Sequence, residues 1–259
     1  MTPGFSKLFV MLLTGACLIF TAPPAEAFVP IPSHLAQLVV EKIKRPTGLE
    51  AIQTIRVYSD ASEDAGGSES KERLMYLFPD RLRCETVSSD SGGSRTVAVV
   101  SDDRFVKTVD GKLESTTRSV TDYYTDILLF RDRKLLEKRL ADAGVDVSSS
   151  SIQRLEKRIC FVAGKPPRKD APTSSFWVDK DSLFPVRYTV KQENRFVDIR
   201  YKDWRKVSRT WYPMRIETFL DRELFSVIDV ASFSLEAVFE QSLFDIDRML
   251  QQAEKRITD

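Results

Sequence analysis

One histidine in 259 residues is the scarcest chemistry in this chain. His34 has no cysteine or second histidine near it, so a zinc site has no ligand set. A Ser-His-Asp triad would have to be assembled around a residue near the mature N-terminus. We read His34 as a structural or surface residue. Cysteine is almost as rare, with Cys17, Cys84 and Cys160 only. No GxSxG, HExxH, Walker or GxGxxG pattern occurs, and Gly66-Gly67 and Gly92-Gly93 are loop glycines without a following helix. An excess of charge is also lacking: 39 Lys and Arg stand against 38 Asp and Glu, so the balance gives no sign of nucleic acid or of a strongly acidic substrate.

The apolar run LFVMLLTGACLIF is too short to span a bilayer comfortably, but it suits a different task. Residues 1–27 have the three parts of a secretory signal: Lys7, the apolar run, and the small-residue site Ala25-Glu26-Ala27. Cleavage there starts the mature chain at Phe28 and places it in the periplasm. Lipid attachment at Cys17 is the alternative, but Thr14 stands where a lipobox wants Leu or Val, and the apolar run continues past the cysteine. In an oxidising compartment Cys84 and Cys160 could pair or remain two buried thiols, and both options stay open.

With 42% hydrophobic residues, residues 28–259 can bury the core of one domain. A helix is expected from Ser33 as N-cap, with Leu35, Leu38, Val39 and Ile43 on one face. Strands follow from Leu49, with turns at Pro79-Asp80, SDSGGSR, Asp102-Asp103 and Asp110-Gly111. The period becomes helical over about 119–143, where Val120, Tyr124, Ile127, Leu128, Leu135, Leu136 and Leu140 share a spacing and Gly144 suits the C′ position. The charged group Arg131-Asp132-Arg133-Lys134 splits that stretch into two helices and reads as a solvated face. Strands then resume and continue to a polar, amphipathic C-terminal tail, about 247–259.

The later strands alternate strictly. Val197, Ile199 and Tyr201 point one way while Asp198, Arg200 and Lys202 point the other, and Tyr212, Met214 and Ile216 repeat the pattern. With Leu74 and Tyr76 these form one apolar face that helices, a second sheet or a ligand must cover. The carboxylate pairs Asp102/Asp103 and Asp179/Asp181 sit where turns favour Asp, which outweighs a general acid/base reading. Trp177, Trp204 and Trp211 show no cluster in sequence that would favour carbohydrate over ordinary strand packing.

Two stretches carry a family resemblance: FWVDKD with FPVR (Phe176–Asp181, Phe184–Arg187), and YKDW followed by WYPMRI (Tyr201–Trp204, Trp211–Ile216). Together with the order of elements they resemble the LolA/LolB-like superfamily of periplasmic lipoprotein carriers. The resemblance implies an α+β, mainly antiparallel fold: an incomplete, half-open β-barrel with an N-terminal helix and a helical plug or lid insertion. It implies a non-enzymatic, cofactor-free protein that holds lipid or lipoprotein acyl chains in a hydrophobic cavity, in the manner of outer-membrane lipoprotein sorting. Leu74, Tyr76, Val197, Ile199, Tyr201, Tyr212, Met214 and Ile216 would line that cavity, and Tyr124, Ile127 and Leu128 would form the lid. Partners would be a lipid or acylated lipoprotein and inner- or outer-membrane protein complexes, with no nucleic acid. The family's lid-contacting arginine has two candidates, Arg81 and Arg83. The insertion carrying LLFRDRKLLEKRL is long for the family. The same fold also serves an RseB-like regulatory, envelope-stress module, which is the alternative function.

Overall fold

Among the described residues, each strand but two is hydrogen-bonded on both sides, and those two decide the shape of the sheet. The computed structural model describes residues 28–58, 67–88, 93–192, 194–235 and 238–258. The expected signal segment and Cys17 lie outside these residues. The elements are α1 (Pro32–Ile43), β1 (Gly48–Val57), β2 (Ser68–Leu77), β3 (Arg81–Ser88), β4 (Arg95–Ser101), β5 (Arg104–Val109) and β6 (Lys112–Ser115). A 3-10 turn (Val120–Thr125), α2 (Asp126–Leu129) and α3 (Arg133–Asp142) follow. The second half has β7 (Ser150–Leu155), β8 (Arg158–Ala163), β9 (Ser175–Asp179), β10 (Pro185–Gln192), β11 (Arg195–Val207), β12 (Thr210–Leu220) and β13 (Glu223–Ser234). A second 3-10 turn (Gln241–Phe244) leads to α4 (Ile246–Thr258).

All 13 strands form one sheet in the order β6-β5-β4-β3-β2-β1-β13-β12-β11-β10-β9-β8-β7. Every pairing is antiparallel. The sheet is unclosed, because β6 and β7 are its two edges, and the chain between them carries the 3-10 turn, α2 and α3. Strand alternation sets the two faces. Tyr188 lies opposite Ile199, and Tyr201 opposite Ile216, so their side chains meet on one face. That inner face joins Leu49, Ala51, Leu74, Tyr76, Phe176 and Val178 with Leu35, Val39, Ile127, Leu128, Leu136 and Leu140 of the helices in one core. Burying each such side chain contributes roughly 1.5–3 kcal/mol.

Local chemistry explains the boundaries. Pro32 at the first helical position fits α1, whose N-cap is Ile31 rather than the expected Ser33. Asp102, Asp103 and Asp110 adopt positive φ in their turns, as Asp tolerates and Gly111 follows. Asp179 Oδ1 accepts from the amides of Asp181 and Ser182 at 3.1 and 2.7 Å, so this carboxylate shapes a turn. Asp132 caps α3 by accepting from Lys134 and Leu135, and Gly144 follows α3 with φ 82°.

One expectation needs correction, one gains detail and one open choice closes. The polar, amphipathic terminal stretch is a helix: α4 lays Ile246, Met249 and Leu250 on Val99 and Val106, on the outer face of β4 and β5. Arg131 is not on a solvated face, being 1% exposed, because the chain leaves α2 at Phe130 in a non-helical conformation before α3 begins. Cys84 and Cys160 are free, so the disulfide alternative falls away.

Candidate functional site

The segment that crosses the open side of the sheet is anchored by a buried charge cluster. Asp126 is fully buried on α2, a position that only paired charge tolerates. Its carboxylate receives Arg118 Nη1 at 2.5 Å and the Tyr188 hydroxyl at 3.4 Å. Arg118 takes Oδ1, while Arg139 Nε stands 2.9 Å from Oδ2, the oxygen Tyr188 also reaches, as an ion pair rather than an aligned hydrogen bond. Arg118 also donates to the Asp122 carbonyl and the Thr125 hydroxyl, and both guanidiniums lie against the Tyr123 ring, 5.6 and 5.2 Å from its centroid. Tyr201 donates to the Tyr124 carbonyl at 3.0 Å, which ties the segment to β11.

Arg131 forms a second anchor of a different kind. Its Nε donates to the Leu128 carbonyl and Nη1 to the Lys44 carbonyl at the end of α1. It packs over Phe78 and leaves Nη2 buried without a hydrogen-bond partner. Burial lowers its pKa to about 10. Neither candidate lid arginine takes this role: Arg83 pairs with Glu85 and bonds the Leu243 carbonyl, and Arg81 borders a cleft with the C-terminal 3-10 turn.

Beneath the crossing segment lies a cavity of about 270 Å³. Its floor is Ile55 and Val57 of β1, Leu82 and Cys84 of β3, Ala98 and Val100 of β4, Phe105 of β5 and Phe225 of β13, interspersed with the polar Ser70, Glu72, Thr86, Thr96, Lys107 and Ser226. Its roof is Arg118, Thr121, Asp122, Tyr124 and Thr125. One polar cluster is set into this wall. Glu72 accepts from Gln53 Nε2 at 2.7 Å, Thr86 Oγ1 at 3.1 Å and the Tyr124 hydroxyl at 3.3 Å, so it joins sheet to roof. Gln53 also donates to the Tyr124 hydroxyl at 3.2 Å.

Burial raises the Glu72 pKa, against the opposing hydrogen bonds from Gln53, Thr86 and Tyr124. Part of its surface opens on the cavity, which tempers the penalty. Because the folded-state pKa is raised, the stability from this group is fully present below the ordinary value of 4.5 and is lost as pH rises through the folded value. Gln at this position is neutral throughout. The stability of wild type relative to Glu72→Gln is therefore expected to fall as pH rises above 4.5, in paired denaturant titrations between about pH 4 and pH 8. A pH-independent difference would refute the assignment.

Of the expected cavity residues, Leu74, Tyr76, Val197, Ile199, Tyr201, Tyr212 and Ile216 are buried on the inner face, and Met214 is half-buried there. They are brought together: Tyr76 and Tyr212 share a hydroxyl–hydroxyl hydrogen bond of 3.0 Å. None of the eight borders the 270 Å³ cavity, however, which lies nearer β3–β5. Of the expected lid residues, Tyr124 faces it, whereas Ile127 and Leu128 are sealed in the core. Glu72, Thr86 and Lys107 escaped the sequence reading because polar residues on an inner face break the alternation, and β2, SESKERLMYL, has no apolar pattern around Glu72 to single it out. A larger cleft, about 530 Å³, lies on the outer face between β3–β5 and α4, but its lining of Arg83, Arg95, Asp110, Glu240, Asp245 and Arg248 suits no apolar ligand.

His34 is half-buried, edge-on to Phe28, with no metal-binding group around it. Among the described residues no group of three or more His, Cys, Asp and Glu could hold a metal ion. Two of the three tryptophans share one neighbour: Phe184 stacks on Trp204 at 5.0 Å and leans on Trp211 at 4.8 Å. Trp177 lies apart, on the outer face. Among the described residues no helix is long and apolar enough to cross a membrane.

No family model and no curated protein matches the chain. Solved structures do. An outer membrane lipoprotein-sorting protein domain from Vibrio parahaemolyticus is similar over 84% of this chain and 97% of its own, with a TM-score of 0.55 at 10% identity. A LolA superfamily protein from Nitrosomonas europaea is similar over 86% of this chain and 100% of its own, with a TM-score of 0.55 at 11% identity. A DUF1329 family protein from Desulfovibrio piger covers the same shares with a TM-score of 0.53 at 13% identity. These likenesses run over most of the chain, and the fold of this chain, a mostly antiparallel unclosed sheet with helices, is the LolA-like fold.

Proposed function

We propose that this protein is a non-enzymatic, periplasmic binding or carrier protein that holds an acyl chain of a lipid or lipoprotein between β1–β5 and the crossing segment. The observation that carries this reading is the cavity itself: a floor of apolar side chains interspersed with polar ones on the inner face of an unclosed sheet, roofed by a segment tied down through side-chain contacts. The solved structures named for lipoprotein sorting support it by fold. At about 270 Å³ the cavity is just below the range of about 300–1,000 Å³ typical of small-molecule sites, so it admits a short length of chain. A longer chain would reach Leu74, Tyr76, Val197, Ile199, Tyr201, Tyr212, Met214 and Ile216 on displacement of the roof, with Tyr124, Ile127 and Leu128 moving as the lid. Each buried methylene contributes roughly 0.8 kcal/mol, so reversible retention needs no covalent step.

The test is native mass spectrometry of the mature protein purified from its native compartment, followed by lipid extraction. A stoichiometric lipid or acylated protein supports the reading. A clean apo mass that stays unchanged after incubation with membrane lipids would sink it and leave the RseB-like module that binds a protein segment. Ala98→Trp, which fills the cavity from β4, is expected to reduce co-purified lipid by about tenfold or more, since it displaces at least two methylenes. Unchanged occupancy with a native melting profile would place the ligand elsewhere.

A further inference from the structure

The outer face of β10–β12 carries a groove of about 260 Å³ with five cations and one carboxylate in its lining. It lies on the opposite face from the acyl-chain cavity, because Arg187, Asp198 and Arg200 alternate with the inward Tyr188, Val197 and Ile199. Arg187 and Arg200 are directly opposite each other in register, a placement that like charges resist. Asp198 relieves it unevenly. It holds Arg187 with two bonds of 2.8 Å but reaches Arg200 only at 3.4 Å, and Arg200 Nε is buried with no partner. Glu156, largely exposed, stands 4.0 Å from Arg200, and Glu217, opposite Arg200 in register, is taken up by Lys202 and Arg215. The Arg200 side chain, 29% exposed, lines the groove and stacks over Phe219 at 4.4 Å.

The second wall is the 165–170 loop. Arg222 sits at φ 81° in the β12–β13 turn and donates to the carbonyls of Arg168 and Lys169. This fixes the loop backbone while the side chains of Arg168 and Lys169, both exposed, have no partner of their own. Two exposed cations without a side-chain partner among the described residues, and a third, Arg200, held loosely by Asp198, therefore converge on one groove from two elements, with a phenyl ring and Pro167 beside them. Guanidinium forks suit phosphate oxygens, and exposed lysine adds a point charge. The formal net charge of the whole sequence is only +1, so this concentration is local rather than a general basicity.

We propose that this groove docks the protein on the phosphate groups of an anionic bilayer surface, with Arg168, Lys169 and Arg200 as the contacts. The inference does not depend on the acyl-chain reading, since the groove and the cavity occupy opposite faces. It is tested by co-sedimenting the mature protein with phosphatidylcholine vesicles with and without phosphatidylglycerol, at low ionic strength. Binding is expected only to the anionic vesicles, and it should weaken as salt rises to about 0.15 M, where the Debye length is about 8 Å. Arg168→Gln/Lys169→Gln is expected to lose about thirtyfold in partitioning, from about fivefold per cation. Lys112→Gln/Lys134→Gln, the same charge change on exposed residues elsewhere, should keep the binding. Equal binding to both vesicle types, no binding to either, or equal loss in the two double variants would each overturn the proposal. Competition by inorganic phosphate beyond that of chloride at matched ionic strength would overturn the bilayer as occupant and assign the groove to a free phosphate.

Discussion

Asp126→Asn is expected to destabilise the fold by about 3–5 kcal/mol, the range for removing one partner from a buried ion pair. The substitution keeps the shape and removes the charge. Arg118 and Arg139 would then remain close together inside the protein, both against the Tyr123 ring, with no carboxylate to pair them. The effect should appear as a lower denaturant midpoint at unchanged slope. Because Arg118 bonds the Asp122 carbonyl and Thr125, the 3-10 turn and α2 should loosen with it, and amide exchange over 120–129 should speed up more than in β11. A variant with a wild-type midpoint would mean that water already reaches Asp126 and that the crossing segment is not held by this pair.

Ile199→Asp should be at least as damaging, and it separates two meanings of an apolar face. Ile199 is fully buried, opposite Tyr188 on β10 and Thr218 on β12, in the core shared with Ile127 and Leu128. Deleting the aliphatic side chain alone costs about 2–5 kcal/mol, and the carboxylate adds the penalty of an unpaired buried charge. Against a total stability of about 5–15 kcal/mol, the variant should be largely unfolded or insoluble. Ile199→Val, in contrast, should cost only about 0.5–1.5 kcal/mol and remain native. If Ile199→Asp instead folds, with native near-ultraviolet dichroism, and only loses co-purified lipid, then the inner face is an open wall and the roof stands aside in solution.

The sequence was most legible where one rule acted alone. Val197, Ile199 and Tyr201 and their neighbours on β12 were assigned to the inner face by period-two alternation, and the structure places them there because both sides of those strands are paired. Asp102, Asp110 and Asp179 were readable as turn residues, since Asp tolerates the positive φ of Asp102 and Asp110 and the Asp179 carboxylate accepts from amides two and three residues on. The cavity was not legible. Its walls come from β1–β5, β13 and residues 118–125, which sequence separation keeps apart, and polar Glu72, Thr86 and Lys107 on its surface obscure the alternation. Arg131 misled for a related reason: within RDRK it has the composition of a solvated helix, but the break after Phe130 turns it into the core, a decision made by tertiary packing. The groove at Arg187 and Arg200 needed the register of two strands, which alternation alone does not supply.

The pairing of β1 with β13 has a consequence for how the chain reaches this structure. Every other strand contact joins neighbours in sequence, so β1–β6 and β7–β13 are two meanders that can form by successive local hairpins. One seam unites them, and its Arg56–Asp229 contact spans 173 residues. Loop-closure entropy grows only logarithmically with length, so a single closure of that span is tolerable where many would not be. It still has to be met before the seam returns any contact energy. The two halves should therefore acquire protection early and separately, and the seam, with its irregular register at Ile52 and Gln53, should set the rate at which they become one sheet.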